Sequence, residues 1–149
     1  MGTVWEENMV EITPYIHQVQ YYETDKMGIT HHSNYVRWME EARIDYLSKL
    51  GWDYAKLEES GIISPVTSID VHYKGSTTYP DVVTIEVLIR NIKGVRLQLE
   101  YVMKNEEGKI VCQAGSEHCF LNREGRPVRL EKECPEFYAA LSGNQVEEN

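Results

Sequence analysis

Apolar positions along this chain follow two rhythms, and the change between them falls at Gly61. Upstream, Tyr35, Trp38, Met39, Ala42, Tyr46 and Leu50 recur at helical spacing, opposite Arg37, Glu40, Glu41, Asp45 and Ser48. That pattern predicts an amphipathic helix. Ser33 or Asn34 can cap its start, and Gly51 ends it. Val36, Ile44 and Leu47 widen the apolar stripe, so more than half of the circumference should be covered. A second, short helix is predicted over 53–60. Downstream the period is two. Ile69, Val71 and Tyr73 form one alternating set, and Val83, Ile85, Val87 and Ile89 a second. Val95, Leu97, Leu99, Tyr101 and Met103 form a third, and Ile110, Cys112, Ala114, Ser116, His118 and Phe120 a fourth. NIKG (91–94), NEEG (105–108) and NREG (122–125) separate or follow these runs and suit tight turns. A weaker strand signal covers 14–23, and 23–33 reads as a loop.

One strand, one long helix and four further strands with a single apolar face leave few ways to bury that face. The helix is the only element large enough to cover it. The predicted class is therefore α+β, a curved antiparallel sheet of about five strands wrapped on a long central helix. Residues 1–12 read as a tail. The domain proper spans 13–130, and 131–149 carries a short helix, with Phe137, Tyr138 and Leu141 packing on the outside, and a tail.

Composition narrows the function classes. A chain of 149 residues suits one domain. Its formal charge of −9 argues against nucleic acid or an anionic membrane as a partner. No apolar run is long enough to cross a bilayer, and the acidic N-terminus MGTVWEENMVEITPY lacks the features of a signal peptide. Three cysteines, Cys112, Cys119 and Cys134, without CxxC spacing suggest free thiols in a reducing cytosol.

Potential chemistry concentrates in Tyr21–Gly51. Glu23, Asp25, His31 and His32 precede the predicted helix. Read from spacing alone, they could simply make local turn contacts. Alternatively, a carboxylate ionised at neutral pH could attack an acyl group or direct water at it, with helix N–H groups polarising the carbonyl and histidine moving protons. A metal site from His31, His32, Asp25 and His17 or His72 is disfavoured, because no HxH or HxxxH pair exists there. GxSxG and phosphate-binding glycine loops are absent. Arg90, Lys93, Arg96, Arg123, Arg126 and Arg129 gather near the later turns. They form either a solvated rim or a holder for nucleotide phosphates.

The stretch YETDKMGITHHSNY followed by VRWMEEAR resembles the opening of the 4-hydroxybenzoyl-CoA thioesterase-like acyl-CoA thioesterases, and the likeness extends over roughly 13–130. The resemblance implies a hotdog fold and hydrolysis of an acyl-CoA to a carboxylic acid and free CoA, with CoA present only as part of the substrate and no other cofactor. It places the catalytic carboxylate on Asp25, a loop histidine on His32, and the Asn-Tyr of the helix start on Asn34 and Tyr35. Glu23 and His31 are then bystanders. Ile29-Thr30-His31 stands where relatives carry an aromatic, so the acyl pocket should differ. Arg90, Lys93, Arg96 and Arg126 become candidates for the CoA phosphates. The resemblance also implies a homodimer or homotetramer joined through sheet edges, with the thioester between two subunits, in the cytoplasm. An acyl-carrier-protein thioesterase and a non-catalytic acyl-CoA-binding protein are the alternatives. The acyl group itself is not legible.

Overall fold

A computed structural model describes residues 10–146. Five strands form one antiparallel sheet: β1 (Tyr15–Gln18), β2 (Val66–Tyr73), β3 (Val82–Lys93), β4 (Arg96–Lys104) and β5 (Ile110–Cys119), in the spatial order β1-β3-β4-β5-β2. The long helix α1 (Ser33–Lys49) lies against the face that buries Val83, Ile85, Leu97, Leu99, Tyr101, Met103, Cys112 and Ala114. Trp38 and Ala42 of α1 are fully buried against it. The α+β prediction and its helix-on-sheet arrangement are what the structure shows.

Boundaries differ where local geometry overrides the hydrophobic pattern. The first strand stops at Gln18, and the chain turns through a single 3-10 turn, Tyr21–Glu23, rather than running extended to residue 23. In β3 the register slips between Ile89 and Asn91. This bulge resets the alternation, so that Ile89 and Ile92 are both buried although three residues apart. The β3–β4 reversal is shorter than the NIKG signature suggested: Lys93 pairs directly with Arg96, and Gly94 carries the turn at φ +62°. Helix α1 is less enclosed than predicted. Leu47 is buried, but Ile44 is 58% exposed and Val36 only half-buried.

After the short helix α2 (Tyr54–Ser60), capped by the Asp53 carboxylate accepting the Lys56 N–H, the chain enters β2. Beyond β5, two short helices follow: α3 (Leu130–Glu133) and α4 (Pro135–Ser142). They do not rest on the outside. Leu130 and Leu141 are fully buried and Phe137 is 2% exposed. The Phe137 ring meets Trp52 at 4.7 Å and Phe120 at 6.5 Å between centroids. The C-terminal segment therefore closes the same core that α1 and the sheet begin. Three apolar residues spaced over a dozen positions were too sparse a signal to show this.

Phe137→Ala should therefore destabilise by about 3–5 kcal/mol, the cost of emptying a packed aromatic site. Urea denaturation measures it, and a loss below about 1 kcal/mol would show that α4 only decorates the surface.

Candidate active site

Asp25 sits in a small closed loop. Thr24 and Thr30 bridge its ends, the Asp25 N–H donates to the Ile29 carbonyl (2.8 Å), and the Gly28 N–H donates to the Asp25 carbonyl (3.0 Å). Gly28 supplies the left-handed backbone, φ +81°, that closes the turn. The Asp25 side chain takes part through one oxygen, Oδ1, which accepts the Met27 N–H at 2.8 Å. Among the described residues, Oδ2 has no hydrogen-bond partner. The carboxylate is half-buried, while Lys26, Met27 and Gly28 are exposed.

Two buried clusters hold this loop. The first is built on Glu23, which is 6% exposed. Its Oε1 accepts the Gln20 N–H and faces His17 Nε2, each at 2.8 Å, and its Oε2 accepts the Trp38 indole N–H at 2.7 Å. Burial alone would raise the Glu23 pKa, but these hydrogen bonds outweigh it and hold the carboxyl below its ordinary value. Glu23 is thus no bystander. Its backbone carbonyl also receives the His31 N–H and the Asn34 amide, at 2.8 and 2.9 Å. The second cluster centres on Thr77, which is 2% exposed. Its hydroxyl meets Thr30 Oγ1 at 2.7 Å and Tyr35 Oη at 2.9 Å, and its carbonyl accepts the Thr30 N–H at 2.8 Å. Nearby, Thr78 Oγ1 donates to the Gly28 carbonyl.

The residues ahead of α1 take roles different from those predicted. Position His32, not Ser33 or Asn34, is the N-cap, and its side chain makes no capping bond. Asn34 is buried and turned inward, its amide joining the Glu23 and His31 carbonyls across the loop (2.9 and 3.2 Å). Tyr35 is 3% exposed and spends its hydroxyl on Thr77. The first-turn donors are also engaged. The Ser33 N–H reaches His31 Nδ1 (3.2 Å), the Asn34 N–H the His31 carbonyl (3.0 Å), and the Tyr35 N–H the His32 carbonyl (3.3 Å). The expected free helix donors are therefore not available to a substrate carbonyl. His31 and His32 are exposed and stacked at 4.3 Å, and Tyr73 Oη donates to the His32 carbonyl at 3.1 Å.

A groove of about 290 Å³ runs between α1 and β2, lined by Val36, Met39, Glu40, Val66, Ile69 and Ser116 among others. Beneath it lies a buried polar chain: Tyr101 Oη to Ser116 Oγ, then to His118 Nε2, each 2.8 Å, and His118 Nδ1 to the Ser64 carbonyl at 3.3 Å. A carbonyl only accepts, so Nδ1 carries the imidazole proton and Nε2 accepts from Ser116. Burial, with the Arg43 guanidinium adding to it, pushes His118 down to about 4 and keeps the ring neutral. Burial likewise raises the Cys112 thiol to about 11, which removes it as a nucleophile. Among the described residues, no three His, Cys, Asp or Glu side chains converge as a metal site would require.

The fold has close counterparts. The family model described as Thioesterase-like superfamily matches residues 19–141. The chain belongs to that superfamily. A DHNA-CoA thioesterase from Staphylococcus aureus superimposes with a TM-score of 0.82 at 36% identity, covering 92% of this chain and 98% of that one. A 4-hydroxybenzoyl-CoA thioesterase from a Pseudomonas species is 29% identical over 83% of this chain and 92% of its own length. A 1,4-dihydroxy-2-naphthoyl-CoA hydrolase from Thermosynechococcus vestitus is 28% identical over 76% and 79% respectively. The α+β sheet wrapped on its helix is the hotdog fold of these thioesterases.

The basic residues proposed for phosphates separate within this thioesterase. Arg90 is the extra residue of the β3 bulge and is paired with Glu100 on the sheet face away from α1. Lys93 and Arg96 are exposed opposite each other at the β3–β4 turn, and Arg126 is exposed in the loop after β5. Arg123 is committed to the Glu58 and Glu59 carbonyls. Sequence reasoning missed Thr77, since a threonine in GSTT gives no signal of burial. It also missed the Trp38 indole, which the apolar pattern counted only as core.

Two outcomes test the buried groups. Glu23→Ala should cost about 3–5 kcal/mol, because it leaves the Trp38, Gln20 and His17 donors unanswered. In the wild type, the Glu23 contribution should be complete above its unfolded pKa of about 4.3 and disappear as pH falls through its lower folded value. For His118 the unfolded chain binds a proton near pH 6.5 that the folded chain refuses until about 4. Unfolding free energy should therefore fall by on the order of 3 kcal/mol over that interval on acidification, and His118→Gln should remove the slope.

Proposed function

We propose that this thioesterase hydrolyses an acyl-CoA, with Asp25 attacking the thioester carbonyl or directing water at it. Family membership establishes the thioester hydrolase; the assignment of the carboxylate is our reading. The observation that carries it is the arrangement of Asp25 itself. One oxygen is tied into the turn at 2.8 Å. The other is unpartnered among the described residues, in a loop fixed from both ends. A carboxylate held this way is oriented before substrate arrives, which lowers the entropic cost of reaching the transition state.

The remaining roles follow from position. His32, exposed at the helix N-cap, is assigned on our reading to donate to the carbonyl oxygen or to the departing thiolate, and its exposure supports this. Asn34 and Tyr35 are buried and act as positioning residues: they hold the loop ends and the Thr77 cluster. Lys93, Arg96 and Arg126 are the exposed cations available to CoA phosphates, while Arg90 is already neutralised by Glu100. Relatives named for 4-hydroxybenzoyl-CoA and 1,4-dihydroxy-2-naphthoyl-CoA support a CoA thioester as substrate. The enzyme works in the cytoplasm as a homodimer, and as a tetramer if dimers pair. What supports the dimer is β2, a sheet edge on which seven of eight residues are exposed, Val66, Ile69 and Tyr73 among them.

Asp25→Asn and Asp25→Ala should each lower kcat by a factor on the order of 10²–10⁴ across several acyl-CoA substrates. Thiol release monitored by a colorimetric reagent measures this, with light scattering to confirm an unchanged oligomer. Full activity in Asp25→Ala would remove Asp25 from the reaction.

A further inference from the structure

Two grooves lie end to end along one side of α1. Val36, Glu40, Arg43 and Leu47 fall within about 60° of arc on the helix, because 3.6 residues complete a turn. The chain segment from Ile62 to Ile69 forms the opposite wall of both. The groove beside the helix start, about 290 Å³, is walled by Val36, Met39, Val66 and Ile69 and reaches Glu40. A second groove, about 420 Å³, begins at Arg43 and continues past Ile44 and Leu47 to Trp52, Leu57 and Ile62. Apolar side chains dominate its walls, and Ile44 in it is more than half exposed.

One ion pair stands between them. Arg43 Nη2 lies 2.7 Å from Glu40 Oε2, so a residue lining the first groove is joined to a residue lining the second. Only 15% of the Arg43 side chain is exposed, and among the described residues its Nε is a buried donor without an acceptor. Hydrocarbon laid over this pair would strip away the water that still reaches it and offer the orphaned N–H nothing in return. Each methylene buried on either side of that point gains about fourfold in affinity. A methylene placed on the pair loses instead.

We infer that the Glu40–Arg43 pair sets the length of acyl chain this thioesterase accepts, by confining the acyl group to the groove beside the helix start. This rests on the reading that the thioester carbonyl sits at the Asp25 loop, level with His32. From His32 to Glu40 the helix rises about 12 Å. An extended alkyl chain advances about 1.25 Å per bond, given bonds of about 1.5 Å at about 111°. Side chains on a helix lean toward its N-terminus, so an acyl group of about eight to ten carbons already meets the pair. Leu47 stands about 22 Å from His32 along the same side. Without the pair, that path would take roughly sixteen to eighteen carbons.

Glu40 and Arg43 touch no reacting atom in this scheme. They act on specificity alone, as a polar rung across an otherwise apolar path. An aromatic acyl group is shorter than the limit and fits the first groove whole, whereas a long alkyl chain must cross the pair or fold back.

Chain-length profiles of the intact protein test this. kcat/KM is measured by thiol release for butanoyl-, octanoyl-, dodecanoyl- and tetradecanoyl-CoA below their micelle concentrations. The readout is the ratio of dodecanoyl- to octanoyl-CoA within each protein, which a loss of folded enzyme or of catalytic power leaves unmoved. In the wild type that ratio should be about 0.1 or lower, because the longer chain must desolvate the pair. Glu40→Ala with Arg43→Met should raise it about tenfold or more, against a ceiling of about 200-fold if all four added methylenes were buried. Arg43→Lys keeps a cation beside Glu40 and should leave the ratio within about threefold of wild type. Ile44→Asp puts a charge into the second groove at an exposed position. It should cancel the gain in the double variant and leave the wild-type ratio unchanged. A wild-type profile flat from butanoyl to tetradecanoyl overturns the inference, and so does a folded double variant with the wild-type ratio. A fall in the ratio when Ile44→Asp is made in the wild type also overturns it, since chains would then already pass the pair. The two wild-type tests decide the matter even if the double variant does not fold. Failure of the Asp25 reading shows differently, as an Asp25→Ala protein that keeps its activity at every chain length.

Discussion

The site depends on one buried carboxylate. Glu23 has almost no contact with solvent, and it remains charged because three donors surround it: a backbone N–H, an imidazole and an indole. A buried charge without such partners would cost several kcal/mol or take up a proton. The donors come from β1, the 3-10 turn and the middle of α1, so satisfying the charge fixes those three elements relative to one another. The Glu23 carbonyl then serves as the anchor to which the His31 N–H and the Asn34 amide return. Asp25, two residues on, inherits that rigidity while keeping one oxygen free of the loop.

The scaffold and the site divide their chemistry accordingly. Groups that look reactive in isolation are neutralised by their surroundings: Cys112 by burial, His118 by burial and a nearby guanidinium, and Arg90 by Glu100. What stays exposed around the loop includes Asp25 in part, the stacked histidines, and the unpaired edge of β2. Each is placed where a second molecule, substrate or subunit, can reach it.

Much of this was legible in the sequence. The 3.6-residue rhythm of Tyr35, Trp38, Met39, Ala42 and Tyr46, and the two-residue rhythm after Gly61, define helix and sheet because burial of one face imposes those periods. Both histidines and Asp25 fall in the predicted loop. What escaped depends on contacts between distant residues. Thr77 meets Thr30 and Tyr35 across more than forty positions, and polar residues brought together that way carry no local period. Glu23 was misjudged for the same reason: nothing near it in sequence announces that Trp38 will offer an indole proton. The β3 bulge shifts the phase of Ile92 without any change in composition. The C-terminal helix, only eight residues long, owes its place to Trp52 and Phe120 rather than to its own amphipathicity.

The polar chain beneath the groove has a direction. Because the Ser64 carbonyl claims the His118 proton on Nδ1, every hydroxyl hydrogen in the chain points the same way, from Tyr101 through Ser116 to the imidazole. The floor of the groove is therefore rich in lone pairs and has no hydrogen left to give. A molecule pressing a polar atom against Ser116 must bring the proton itself: a hydroxyl or an amide N–H is received, and a carboxylate or ketone oxygen is turned away. Discrimination of that kind needs no charged side chain and would persist unchanged across the pH range in which His118 stays neutral.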